Sequence, residues 1–265
     1  MPEEIELRVY GAEGLPVLVY LPGLHGDWTL VGSFRQALRG RVRFVEMTYP
    51  RTVSWSLDDY AAAVELALAN QDIRAGWLLG ESFGSQLVWP LLARDRFHTE
   101  GVILAGGFVR HPVRVGVLAA ERLTGGLSLR LITWVLFGYA RVARWRYRRS
   151  PEVMKDIAEF IARRTEQDRR AAQHRLQLIA RNDPCTVARE TKVPLFAMTG
   201  LWDPVVPWVA VRPWLRRHCA ALREYRIVRQ ADHNVLGTAP DIAAEQVIQW
   251  ISRSRRDPRP SDASL

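Results

Sequence analysis

The sequence predicts an α/β protein built on a doubly wound, mostly parallel sheet with a helical insertion. Two observations carry this expectation. Short apolar runs alternate with helix-periodic segments up to about residue 109 and again from about 190, the order that gives parallel strands covered by helices on both faces. Between them, Arg110 to Arg189 reads as helix with no convincing strand.

Ile5–Tyr10 reads as the first strand and Val17–Leu21 as a buried one, and Val42–Val45 as another that ends in a loop holding Tyr49 and Pro50. Asp58 is placed to cap a helix through Asn70, with Tyr60, Val64, Ala67 and Leu68 facing inward. Trp77–Leu79 is a short buried strand, followed by a helix over Phe83–Arg94 and a strand at Val102–Ala105. Within the insertion, Leu127–Val142 is too apolar all round for a simple surface helix, and Glu152–Ala180 is a second, arginine-rich helical stretch. Strand and helix then resume with Val193–Thr199, Val209–His218, Tyr225–Val228 and Asp241–Ser252. The expected organisation is a core of residues 1–109 and 190–253, an insertion at 110–189, and a polar, disordered tail at 254–265 carrying Pro258 and Pro260.

Composition narrows the function classes. A chain of 265 residues with 48% hydrophobic content can bury a sizeable core. No run approaches the length and apolarity of a membrane span, and Met1-Pro2-Glu3-Glu4 lacks the basic and apolar regions of a secretory signal. Cys185 and Cys219 form neither a disulfide framework nor a metal-ligand spacing, which suits a reducing cytoplasmic setting. The net charge of +9 is local: residues 110–150 hold nine arginines against one acid, Glu121. With no zinc-finger spacing or aromatic RNA-binding signature beside it, nucleic acid is not an expected partner.

Gly80-Glu81-Ser82-Phe83-Gly84 matches the G-x-S-x-G turn that presents a serine hydroxyl between a strand and a helix. The pattern is short, and its context gives it weight: an apolar strand precedes it and an amphipathic helix follows. A serine hydroxyl needs a base to act as a nucleophile at neutral pH. Of six histidines, His98 and His111 lie at helix or loop ends beside arginine, His174 is inside the arginine-rich helix, and His218 is near a helix C-terminus. His233 alone follows the last strand on a loop, in Ala231-Asp232-His233-Asn234. The base in turn needs an acid to fix its tautomer, and Asp203 lies on the loop just after the Val193–Thr199 strand. Asp232 is a poorer choice because neighbouring side chains on an extended loop point apart.

The fourth part is a pair of backbone donors for a developing oxyanion. Phe83, next to the serine, supplies one. The second comes from Pro22-Gly23-Leu24-His25-Gly26-Asp27-Trp28, where one alignment gives Leu24 and the other Asp27. Distance from the strand end, and the misfit of an acid beside an oxyanion, favour Leu24. His25 either lines the pocket or plays a plain loop role.

With these elements in the order Ser82, Asp203, His233, the chain resembles the α/β-hydrolase superfamily, specifically its small capped serine hydrolases with Leu-Pro-Gly after the third strand, over residues 1 to about 253. The resemblance implies an eight-stranded sheet with one antiparallel strand, a cofactor-free site, an acyl-enzyme intermediate, and a lid formed by the 110–189 insertion. The chain departs from the pattern in its arginine-rich lid and in lacking a plain His-Gly before the oxyanion loop.

The lid bears on the substrate. Trp134 and Phe137, among other apolar residues, either line an acyl pocket or pack the lid onto the core. Arg141 to Arg149 interleaves cations with aromatics, a composition suited to anionic lipid head groups, to the phosphates of an acyl thioester such as acyl-CoA, or to a solvated helix end. The leading expectation is hydrolysis of a carboxylic ester with an apolar acyl group. The alternatives are an acyl-thioester hydrolase whose lid holds a phosphate-bearing thiol, and a non-catalytic binding protein on the same fold, whose sign would be a lost triad member.

Overall fold

The computed structural model describes residues 4–126, 154–155, 158–159, 162–163 and 165–256. Among these, seven strands form one sheet: β1 (Glu6–Tyr10), β2 (Val17–Leu21), β3 (Arg43–Thr48), β4 (Ala75–Glu81), β5 (His98–Ala105), β6 (Leu195–Gly200) and β7 (Leu222–Val228). Their order is β1-β3-β2-β4-β5-β6-β7, with β1 antiparallel to β3 and every other pair parallel. The doubly wound, mostly parallel sheet is therefore as expected. The eighth strand implied by the resemblance is not among the described residues, where β1 itself occupies the antiparallel edge.

The helices are α1 (Gly32–Ala37), α2 (Leu57–Ala69), α3 (Gly84–Arg94), α4 (Arg114–Gly126), α5 (Glu166–Arg181), α6 (Cys185–Glu190), α7 (Trp208–His218), α8 (Val235–Thr238) and α9 (Pro240–Arg256). Alternation along the strands sends successive side chains into two cores, one on each face of the sheet. Val19, Leu21, Leu78, Val102, Leu104 and Ala197 pack with α2, α3 and α7. Leu18, Tyr20, Trp77, Leu79, Ile103 and Met198 pack on the other face with α1, α8 and α9. The β1 edge is tied down by Glu46, whose fully buried carboxylate accepts from Arg35 at 2.7 and 2.9 Å and from the Tyr10 hydroxyl at 3.2 Å.

Several boundaries differ from the sequence reading, the strands β3, β4, β5 and β7 being longer than expected. Ser56, not Asp58, caps α2: its Oγ accepts from the Asp59 N–H while the Asp59 carboxylate accepts from the Ser56 N–H, a reciprocal arrangement that satisfies two end donors. The inward stripe of α2 is Tyr60, Ala61, Val64 and Leu68, with Ala67 only half-buried. The second helical stretch of the insertion does not run unbroken from Glu152, because Thr165 and Asp168 form the same reciprocal cap at the start of α5. At the other end of the chain, α9 continues past Ser254 to Arg256.

On the α9 face, Trp250 stacks on Phe196 with ring centroids 5.1 Å apart, Phe196 lies 5.8 Å from Trp77, and the Trp250 indole N–H donates to Glu224 at 2.9 Å. Trp250 is fully buried. Truncating such a side chain removes transfer energy and leaves a cavity. Trp250→Ala should therefore lower the unfolding free energy by about 3–5 kcal/mol, read as a shift in urea midpoint with little change in slope.

Candidate active site

The geometry begins at the end of β4. Ser82 has φ of 49°, in the left-handed region that side chains seldom occupy, so its hydroxyl stands out of the strand-to-helix turn. The flanking glycines permit this. A Cβ on Gly84 would run into the carbonyl oxygen of Leu21, and one on Gly80 would lie 2.9 Å from the Ser85 Cα. Below the turn, Ser85 Oγ donates to the Ser82 carbonyl at 2.6 Å and accepts from the Phe108 N–H at 3.1 Å. Main-chain bonds continue the ladder beyond the strand ends: Ser82 N–H to Ala105 O at 3.1 Å, Gly106 N–H to Met198 O at 2.8 Å, and Leu201 N–H to Val228 O at 2.9 Å.

The loops so aligned bring Ser82, His233 and Asp203 together. Ser82 Oγ lies 2.9 Å from His233 Nε2, and His233 Nδ1 lies 2.9 Å from Asp203 Oδ2. An ionised carboxylate only accepts, so Nδ1 carries the proton and Nε2 is left to accept from the serine. Asp203 is fully buried. Its other oxygen accepts from the Val205 and Val206 N–H groups at 2.8 and 2.9 Å, which orients the carboxylate toward the ring. Asp232 instead accepts from Asn234 N–H at 3.0 Å and Thr238 Oγ1 at 3.3 Å, within its own loop.

Burial of the His233 ring acts to lower its pKa. The hydrogen bond and charge of Asp203, reinforced by the charges of Glu81 and Asp232, outweigh that, and the pKa stands above the ordinary 6.5. Glu81 is buried on the elbow itself and accepts a hydrogen bond from the Tyr20 hydroxyl of β2. Burial and the Glu81 charge push the Tyr20 phenol well above its usual range, so it remains the donor.

Of the two backbone donors, Phe83 lies at the start of α3, its ring packed edge-on to Tyr49 and Tyr60. Leu24 and His25 line the same cavity as Ser82, on a turn closed by the Gly26 N–H to Gly23 O bond of 3.0 Å. Among the described residues neither the Phe83 nor the Leu24 N–H is taken by a protein acceptor. Asp27, the competing choice for the second donor, has its carboxylate turned onto the Thr29 N–H at 3.1 Å. Trp134 and Phe137 lie outside the described residues.

Ser82 and His233 open onto a cavity of about 540 Å³. Its walls are mainly apolar, with Leu30, Phe108, Val205 and Val206, and with Val117, Leu176 and Ile179 from α4 and α5. Two residues here escaped the sequence reading. Glu81 was an acid at the end of an apolar strand, a signal in itself. His111 lines the cavity from the loop after β5, its ring edge-on to Phe108 at 4.8 Å and its Nδ1 accepting from the Val113 N–H at 3.2 Å. Burial lowers the His111 pKa. Its place on a loop beyond the carboxyl end of a parallel strand was the available clue.

A family profile described as "Alpha/beta hydrolase family" matches residues 18–246. The chain belongs to that family. Solved hydrolase-fold structures agree in shape at low identity. A thermophilic esterase from Thermogutta terrifontis is 17% identical, with a TM-score of 0.73 over 94% of this chain and 93% of its own. The enol-lactonase from Burkholderia xenovorans LB400 is 19% identical, with a TM-score of 0.72 over 94% of this chain and 96% of its own. An esterase from Rhodococcus sp. ECU1013 is 20% identical, with a TM-score of 0.72 over 94% of each chain. A search of curated proteins by sequence finds no match.

The electrostatics of this hydrolase-family site make a prediction that needs no substrate. An NMR titration of the His233 imidazole should give a midpoint above 6.5. Asp203→Asn removes the partner that stabilises the imidazolium and leaves the burial that disfavours it. Its midpoint should therefore fall below the wild-type value.

Proposed function

We propose that the chain is a serine hydrolase that cleaves a carboxylic ester with an apolar acyl group. The observation that carries this reading is the relay from Ser82 Oγ through His233 to Asp203, 2.9 Å at each link, opening on an apolar cavity. His233 Nε2 takes the Ser82 proton as Oγ attacks the acyl carbonyl, and Asp203 stabilises the imidazolium. The backbone N–H groups of Phe83 and Leu24 hold the resulting oxyanion. Collapse breaks the ester C–O bond, and His233 gives its proton to the departing alcohol, leaving the acyl group on Ser82. Water attacks that acyl-enzyme with His233 again as base, and the acid leaves as Oγ regains its proton.

The apolar walls, with His25 beside the serine, suit an acyl chain, and α4 and α5 serve as the described part of a lid spanning 110–189. Both cysteines are free thiols, which supports a reducing, cytoplasmic setting. Among the described residues no helix is long and apolar enough to cross a membrane.

A second reading has an observation of its own. A neighbouring cavity of about 670 Å³ shares His111 and Val113 with the first and is lined by Arg110, Arg114 and Arg189. This favours an acyl thioester whose thiol carries phosphate.

Ser82→Ala should lower turnover of p-nitrophenyl esters by about 10⁴-fold or more with an unchanged circular dichroism spectrum. A fluorophosphonate probe should map to Ser82 in the wild-type chain; an adduct elsewhere overturns the mechanism. Salt separates the two substrates. If phosphate is held by the arginines, KM for a CoA thioester rises between 50 and 500 mM salt, roughly the range over which such contacts are screened, while KM for a neutral ester stays level.

A further inference from the structure

Arg175 of α5 is only 2% exposed, yet no carboxylate among the described residues lies within ion-pair distance of it. It sits between Ala171 and Ile179 on the buried stripe of the helix, where the spacing calls for an apolar side chain. Its guanidinium joins two loops instead. Nη1 donates to the Leu24 carbonyl at 3.0 Å and Nη2 to the Pro50 carbonyl at 3.1 Å. The same group lies 5.4 Å from the Tyr49 ring and 6.0 Å from the Phe83 ring. Gly26, with φ of 79°, leaves the space it fills: a Cβ there would collide with Nη1. Nε has no hydrogen-bond partner.

A buried cation with one unsatisfied N–H is costly, and replacing it by an apolar side chain of similar volume would remove that cost. What the cation touches is therefore informative. Both residues assigned as oxyanion donors are in its reach, one through its carbonyl and one through its ring. The helix that carries it is anchored independently, by Arg51 to Asp168 at 2.7 Å and by His174 Nε2 to the Trp55 carbonyl at 2.8 Å.

We infer that Arg175 is a positioning residue that clamps Leu24 against the Phe83 side of the elbow, holding the two backbone N–H groups at the spacing of a single oxyanion. The inference rests on the serine-hydrolase reading above. Its hold on Leu24 is through the residue's own carbonyl, and on Phe83 through the ring, so it acts by fixing the two residues in place. The lid helix thus acts on the reaction and not only on access. Its effect belongs to the transition state, where the oxyanion exists, rather than to ground-state binding.

The test compares wild type, Arg175→Met and Arg175→Lys, with turnover normalised to sites titratable by a fluorophosphonate. In Arg175→Met, kcat for a p-nitrophenyl ester should fall by roughly 10- to 100-fold, somewhat less than the loss of a whole donor, with KM within about threefold. Affinity for a trifluoromethyl ketone, which forms a tetrahedral oxyanion on the serine, should fall by the same factor as kcat/KM. Arg175→Lys keeps the charge but lacks the fork that spans two carbonyls, and should still lose roughly fivefold or more in kcat. It carries the test if Arg175→Met does not fold. Wild-type turnover per titrated site in a folded variant, or a lower kcat with unchanged ketone affinity, overturns the inference while the parent reading stands. A wild-type chain that does not label at Ser82 removes the parent reading and this one with it.

Discussion

Ser82 occupies a left-handed backbone conformation at the point where β4 becomes α3, and the surroundings are arranged to make that tolerable. Strain of this kind costs on the order of 1–3 kcal/mol and persists only where neighbours over-determine the backbone. Here Gly84 lets α3 come up against the end of β2, while Ser85 bonds both the Ser82 carbonyl and the Phe108 amide. The helix cannot slide and the strand cannot relax. The hydroxyl is thereby held toward the one loop that carries His233.

The charges around that hydroxyl follow from the same confinement. A histidine drawn out of water would lose its affinity for a proton, which would make it a poor partner for an acidified state. Asp203 reverses the balance because it is itself fully buried and has its second oxygen occupied by two backbone amides. Glu81 adds a further negative charge, steadied by Tyr20 from the adjacent strand. Two carboxylates and one imidazole sit at the sheet edge, while the Arg175 cation lies behind the loop opposite.

The central strands were legible because they are buried almost throughout and read as apolar runs between turns, and the edge strands β1 and β7 as shorter apolar runs broken by charged, half-exposed positions. Ser82, Asp203 and His233 were legible because each follows such a run, and the structure brings the three side chains within hydrogen-bond distance. What was not read includes one local cap and two residues, His111 and Arg175, whose roles depend on contacts across long separations. Ser56 and Asp58 are both good caps in isolation, and only the pairing with Asp59 decides between them. His111 looked like one more loop histidine until β5 placed it over the cavity. Arg175 was hidden among many arginines, although its place on an otherwise apolar stripe set it apart.

The ladder bonds that run past the ends of β4, β5 and β6 join main-chain atoms only. The alignment of the elbow with the loops bearing Asp203 and His233 therefore asks little of side-chain identity in the strands beneath. Residues there are free to drift so long as each remains apolar and of workable size. Over long descent such a scaffold can exchange most of its letters while its loops stay in register. Solved structures sharing 17–20% of their residues with this chain match its fold over more than nine-tenths of its length.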